Sequence, residues 1–347
     1  VSKGATMSNP QPDCRNDLPV YQADTSHGLV PALKKWQQPN LLPQLVAHWP
    51  LVKAAKHSNE SAVEYLLRFD HNKEVDCFLL PHSANGRMFY NETLDGFNFQ
   101  RQRLLLRSAL HQILQYQHSL EPDSLYIGST TVEACLPGLL AENSLAIDEL
   151  DPLGTMWIGN KSRIAAHYDA PDNLICVTAG KRIVTLFPPE QVANLYIGPL
   201  HFTPAGQPIS LVDFAKPDYG RFPRFAEAMK HAIQVELLPG DALFIPSMWW
   251  HHIEGCEPFN MLVNFWWRDT PAWLGRPENS LYHTLISLKS LPVSQRKAWQ
   301  ALFNHFVFAE DEQRFNHIPG HQQGPLGELD ETQLRQFKAW LANNLKS

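Results

Sequence analysis

A chain of 347 residues that is 44% hydrophobic, 18% charged and 11% aromatic has the make-up of a globular protein with a large core. Its net charge of −6 leaves no global basic footprint for nucleic acid, and no apolar run is long enough to span a bilayer. The five cysteines (Cys14, Cys77, Cys135, Cys176 and Cys256) are odd in number and contain no CxxC pair. They give no sign of a disulfide framework or a thiolate zinc site, and suggest buried thiols in a reducing, cytoplasmic setting.

Residues 1–30 are polar and rich in Pro, Asn and Asp, and read as an irregular lead. Met7 is a candidate start, and no apolar stretch of a signal peptide precedes it. Helical patterns dominate from Pro31 to about His118. Ser58 can cap a helix over 58–69 that puts Val63, Leu66 and Leu67 on one stripe. The segment 99–116 reads as a second helix, with Leu104, Leu105, Ala109, Ile113 and Leu114 at helical spacing. Between them, VDCFLLPHS and GRMFYN read as strands flanking a turn.

The middle of the chain changes character. TMWIGN, RIAAHYD, NLICVTA, RIVTLFPP, AIQVELLPG, DALFIPSMWWHHIEG and NMLVNFWWR are short apolar or alternating runs punctuated by Gly, Pro and Asn. That pattern predicts an antiparallel barrel or double-sheet jelly roll with flanking helices, occupying 31–270. A loop-rich insertion over 190–232 interrupts it, with a short helix in FPRFAEAMKHA, and insertions of this length usually serve binding. Helical periodicity returns over 271–347. Trp299, Leu302, Phe303 and Phe306 form one stripe; Leu334, Phe337, Leu341 and Leu345 form another, opened by a D-x-x-Q box at Asp330 and Gln333. Such stripes either pack within their own chain or pair with a second copy as a homodimer.

The chemistry concentrates at His167-Tyr168-Asp169. On a strand, residues i and i+2 share a face, so an HxD offers an imidazole and a carboxylate side by side, with Tyr168 turned away. A third ligand can come from the His pair in PGDALFIPSMWWHHIEG, where strand parity alone leaves His251 and His252 both open. Two imidazoles and one carboxylate on one face of a metal suit an Fe(II) oxygenase, with open positions for a 2-oxoacid and O2. A structural zinc site would close its shell with four protein ligands.

With these motifs in order, the chain resembles the JmjC-type, cupin-like 2-oxoglutarate oxygenases, and among them most the factor-inhibiting-HIF type of asparaginyl hydroxylase. WIGNKSRIAAHYDAPDN, AGKRIVTLFPPEQVANLY, VDFAKPDYGRFPRF, LPGDALFIPSMWWHHIEG and NFWW carry the resemblance, which is dense from Trp157 to Trp267 and weaker outside. It implies a double-stranded β-helix core and a site of Fe(II), 2-oxoglutarate and O2, with His251 as the third metal ligand after His167 and Asp169. It also implies that Asn264, Trp266 and Asn173 line the cosubstrate site and that Tyr126 bonds its far carboxylate.

Two positions depart from the resemblance. Where the family places a lysine two residues after a glycine, this chain has Arg182 after Gly180, and a guanidinium can still grip a carboxylate bidentately. Three residues before the metal histidine, a threonine is replaced by Ile164, which removes one hydrogen bond. The expected activity is hydroxylation of a peptide or protein side chain. A small-molecule hydroxylase of the same class and a non-catalytic metal-binding scaffold are the alternatives.

Overall fold

Alternating apolar residues between Leu153 and Trp267 do form strands, and their order places the site. The computed structural model describes residues 18–21, 28–311 and 313–345, so most of the lead, with Met7 and Cys14, lies outside the described residues. The strands are β1 (Asn40–Leu42), β2 (Glu74–Leu80), β3 (Arg87–Met88), β4 (Gln100–Leu105), β5 (Ser124–Thr131), β6 (Leu153–Gly159), β7 (Ser162–His167), β8 (Asp172–Ala179), β9 (Arg182–Phe187), β10 (Ile233–Leu237), β11 (Ala242–Ile245), β12 (Trp250–Gly255) and β13 (Asn260–Trp267). The larger sheet runs β1-β11-β8-β13-β6-β5-β2-β4 and the smaller β10-β9-β12-β7-β3. Strands β6 to β13 thus divide four and four between two facing sheets, which is the expected jelly roll.

Ile175, Val177, Val184, Leu186, Leu237, Leu243 and Ile245 point inward from the two sheets and pack together as the barrel's own core. The outer face of the large sheet is covered by helices α1 (Leu29–Leu33), α2 (Pro50–His57), α3 (Asn59–Leu67) and α4 (Leu106–Tyr116), with short α5 (Val132–Cys135) and α6 (Leu139–Glu142). Strands β8 and β13 are therefore buried on both faces and read as near-continuous apolar runs. Ser58 caps α3 by accepting from the Ser61 N–H at 3.0 Å, as its sequence position predicts.

One element differs from expectation. Segment 99–116 is not one helix: Gln100–Leu105 is strand β4, paired antiparallel with β2 from Gln100↔Leu79 to Leu105↔Glu74. Gln, Arg and Leu are good helix formers, but this stretch meets an open sheet edge, and ladder hydrogen bonds outweigh local propensity. The helix begins only at Leu106, where Leu106, Ala109, Leu110 and Ile113 form the buried stripe.

Within the 190–232 insertion, helix α7 spans Phe225–Lys230. Residues 269–347 form a separate compact unit, with α8 (Glu278–Leu288), α9 (Val293–Phe306) and α10 (Glu331–Asn344). The Asp330–Gln333 capping box is made in both directions, at 2.8 and 3.0 Å. These three helices contain no buried residue among the described ones. No described helix is long and apolar enough to cross a membrane.

Candidate metal centre

His167 ends β7 and pairs across the antiparallel ladder with His251 on β12. Their rings approach to 4.3 Å between centroids. Asp169 lies in the turn that follows β7, with its Oδ2 3.6 Å from His251 Nε2. One donor atom from each of the three residues falls within 4.8 Å of the others, a group able to hold one metal ion. Two neighbouring turns are stitched together to make this possible. Met248, held at φ 68°, donates its N–H to the Asp169 carbonyl (2.8 Å), while Ser247 donates its N–H to Asp172 Oδ1 (2.8 Å) and its hydroxyl to the Ala170 carbonyl (2.7 Å).

The imidazoles are oriented for ligation. His167 Nδ1 faces the Ala165 carbonyl at 2.9 Å and His251 Nδ1 faces the Trp249 carbonyl at 3.0 Å. A carbonyl accepts only, so each Nδ1 carries the proton and each Nε2 keeps a lone pair for the centre. The neighbours on the two strands point away. Tyr168 packs edge-on against Trp250 (5.0 Å), and His252 lies against Phe214 (4.5 Å) and Glu254 Oε1 (3.2 Å). His251, and not His252, therefore shares the face of His167 and Asp169.

Burial, with His251 close by, pushes the His167 pKa down from 6.5 to about 4. Burial alone would raise that of Asp169, but the neighbouring His251 and, after it, His167 hold it below the usual carboxylate value. Metal-free protein should therefore lose stability as pH falls from 6.5 through about 4. In that window the unfolded chain takes up a proton that folded His167 refuses, at a slope of at most about 1.4 kcal/mol per pH unit. Asp169 adds its loss only below 3.8. Urea unfolding midpoints across this range, compared with those of His167→Gln, read the contribution.

The far end of the same cavity is built around Arg182. Gly180 (φ 70°) turns β8 into β9, where a Cβ would collide with the Phe259 carbonyl. Lys181 then faces outward to Glu236 (3.2 Å), and Arg182 faces in. Arg182 is 1% exposed; Nη2 donates to the Trp157 carbonyl at 3.4 Å, while Nε and Nη1 are buried without a partner. The Tyr126 hydroxyl lies beside it and offsets part of the burial that lowers the guanidinium pKa. Orphaned guanidinium donors lining a pocket are a fit for the carboxylate of a bound anion.

Arg182, Tyr126, Asn173, Asn264, Trp266, Ile164 and the three donors line one cavity of about 740 Å³. All the site residues expected from sequence thus come together. Asn173 and Asn264 are engaged with protein groups: Asn264 Nδ2 donates to Asn173 Oδ1 (3.0 Å), and Asn173 Nδ2 to Asp169 Oδ2 (3.3 Å). Several lining residues were not foreseen, notably Asp76 and Arg101 on the added strands and the His201–Gln207 stretch of the insertion. No motif marks them, and only the long insertion hinted at its part.

A family profile described as a cupin-like domain matches residues 32–272. Among curated relatives, the human HSPB1-associated protein 1 is 33% identical over 149 residues, which is 42% of this chain and 30% of that protein. A Xenopus tropicalis protein named lysine-specific demethylase 8 is 26% identical over 263 residues, 72% of this chain and 51% of the relative. The chicken tRNA wybutosine-synthesizing protein 5 is 34% identical over 106 residues, 30% of each chain. The chain spans about half, or less, of the length of these relatives. The jelly roll, the His-Asp-His cluster inside it and the match over most of its length agree: the chain belongs to the cupin-like, JmjC-type family.

Proposed function

We propose that the chain is an Fe(II)- and 2-oxoglutarate-dependent oxygenase that hydroxylates a side chain of a peptide or protein. One observation carries this reading: a buried guanidinium with two unpartnered nitrogens lines the same cavity as a three-donor metal cluster. That pairing suits a cosubstrate with a metal-chelating end and a far carboxylate.

In this reading His167 and His251 hold Fe(II) through Nε2, and Asp169 brings the negative charge. Arg182 and Tyr126 anchor the far carboxylate, while Trp266 and the amides of Asn173 and Asn264 border the chelating end. With O2, the bound iron and 2-oxoglutarate supply the oxidation, giving CO2, succinate and a hydroxylated product. The apolar wall of Trp157, Ile164, Ile175 and Leu262 keeps water from the reacting atoms.

A polypeptide substrate is supported by a relative named lysine-specific demethylase 8 and by the insertion stretch His201–Gln207, which forms part of the cavity wall. The net charge of −6 speaks against an RNA substrate. The exposed apolar residues of α8 to α10, including Ile286 and Trp340, support pairing with a second copy. Cys77, Cys135, Cys176 and Cys256 are free thiols, in keeping with a reducing compartment such as the cytoplasm. Ile164, which offers the cosubstrate no hydrogen bond, is the one feature favouring a non-catalytic scaffold.

Protein incubated in air with Fe(II), 2-oxoglutarate and a peptide library should release succinate and add one oxygen atom to selected peptides. If the metal-loaded protein neither binds 2-oxoglutarate nor releases succinate, the scaffold reading replaces this one.

A further inference from the structure

Asp169 is the end of a buried chain of side-chain hydrogen bonds that crosses three strands. Thr155 Oγ1 and Trp157 Nε1, both on β6, donate to Asn264 Oδ1 on β13, the indole at 2.9 Å. Asn264 Nδ2 donates to Asn173 Oδ1 on β8 at 3.0 Å, and Asn173 Nδ2 donates to Asp169 Oδ2 at 3.3 Å. Thr155 and Asn264 are 1% exposed and Asn173 is 4% exposed.

A side-chain amide has nearly the same shape at both ends, so each of the two asparagines has two ways to sit. The ends of the chain remove that freedom. An indole N–H can only donate, and an ionised carboxylate can only accept. With Trp157 at one end, Asn264 must present its oxygen to β6 and its nitrogen to Asn173. Asn173 must then present its nitrogen to Asp169. Turning either amide would set two oxygens or two N–H groups against each other in a buried site, where an unsatisfied polar group costs about 1–3 kcal/mol.

We infer that Trp157, with Thr155, is a positioning residue for the metal centre: it sets the direction of this relay and thereby aims the Asp169 carboxylate. It acts across two intervening amides and touches none of the three donors. The oxygen it controls is Oδ2, the one that also faces His251 Nε2 at 3.6 Å. Fixing that oxygen fixes the carboxylate's rotation. The inference rests on the reading of His167, Asp169 and His251 as metal ligands.

The test is Mn(II) binding by titration calorimetry on the full chain, with thermal unfolding of the metal-free protein alongside. Trp157→Phe keeps an aromatic ring in place but removes the one group that can only donate. Mn(II) affinity should fall about 10-fold in Trp157→Phe and up to ~100-fold in the double variant with Thr155→Val, the range typical of lost outer partners. Thr155→Ser in place of Thr155→Val should return the double variant to the level of Trp157→Phe. A purely structural role would lower the unfolding temperature and leave the affinity of the folded protein unchanged. Affinity within about twofold of wild type in Trp157→Phe overturns the inference; this single variant decides it if the double variant does not fold. Failure of the wild-type chain to bind Mn(II) would instead overturn the ligand assignment on which the inference stands.

Discussion

Asp169→Ala is expected to remove measurable Fe(II) binding and all succinate release, whereas His252→Ala should retain both. Asp169 is the single carboxylate in the donor group, and without it two neutral imidazoles would have to hold a divalent ion with no compensating charge. His252 points to the other side of β12, against Phe214 and Glu254, so its loss removes a ring contact worth about 1 kcal/mol and lowers the unfolding temperature slightly. Calorimetric titration with Fe(II) under nitrogen or with Mn(II) in air, together with thermal unfolding, separates these outcomes. The reverse pattern, with metal retained in Asp169→Ala and lost in His252→Ala, would show that the other face of the strand carries the centre.

Arg182→Met should produce an opposed pair of effects: loss of 2-oxoglutarate binding and a gain in stability of the ligand-free protein. In the ligand-free state the guanidinium is buried with two of its nitrogens unpartnered, a charge that the fold carries without full compensation. Methionine fills similar space without that charge, and replacing buried ionic groups by apolar ones stabilises proteins by about 1–4 kcal/mol. Truncating one side of a buried, hydrogen-bonded charge pair costs about 2–5 kcal/mol of binding, so affinity should fall ~30-fold or more. Fluorescence titration with 2-oxoglutarate on the Mn(II)-loaded protein reads the first effect, and denaturant unfolding without ligand reads the second. An Arg182 that merely braced the barrel would show the opposite stability change, and affinity would follow it only through unfolding.

Much of this was legible in the sequence, for identifiable reasons. Most core strands announce themselves because Gly, Pro and Asn punctuate short alternating runs, although DALFIPSMWWHHIEG, read as one run, is two strands, β11 and β12, in different sheets. His167 and Asp169 stand out as one i, i+2 motif, although Asp169 lies in the turn after β7 and not on the strand. Arg182 needed the family resemblance, which places a cation two residues after the glycine at Gly180, and the positive φ there is visible only in the structure. The choice between His251 and His252 needed the family resemblance, because strand parity depends on a register that shifts between His251 and Ile253. Strand β4 was read as helix because Leu104 and Leu105 extend the apolar spacing of the helix that follows, and only the open edge of β2 decides otherwise. The relay from Trp157 to Asp169 left no sequence signal at all. Its members stand on β6, β13 and β8, which become neighbours only once the sheet is paired.

The outward-facing residues of the two ligand strands have a bearing on errors in assembly. A one-residue slip of β12 against β7 would bring His252 or Trp250 to the inner face, and such a strand could still pair its backbone. The outer face makes that state unfavourable. Tyr168 and Trp250 lock edge to face, and Phe214 of the insertion covers the His252 ring, so a slipped strand would lose both contacts while placing the wrong side chains against them. Through Phe214 the insertion thus favours the native register from outside the barrel, and a chain with it cut out is expected to lose that bias.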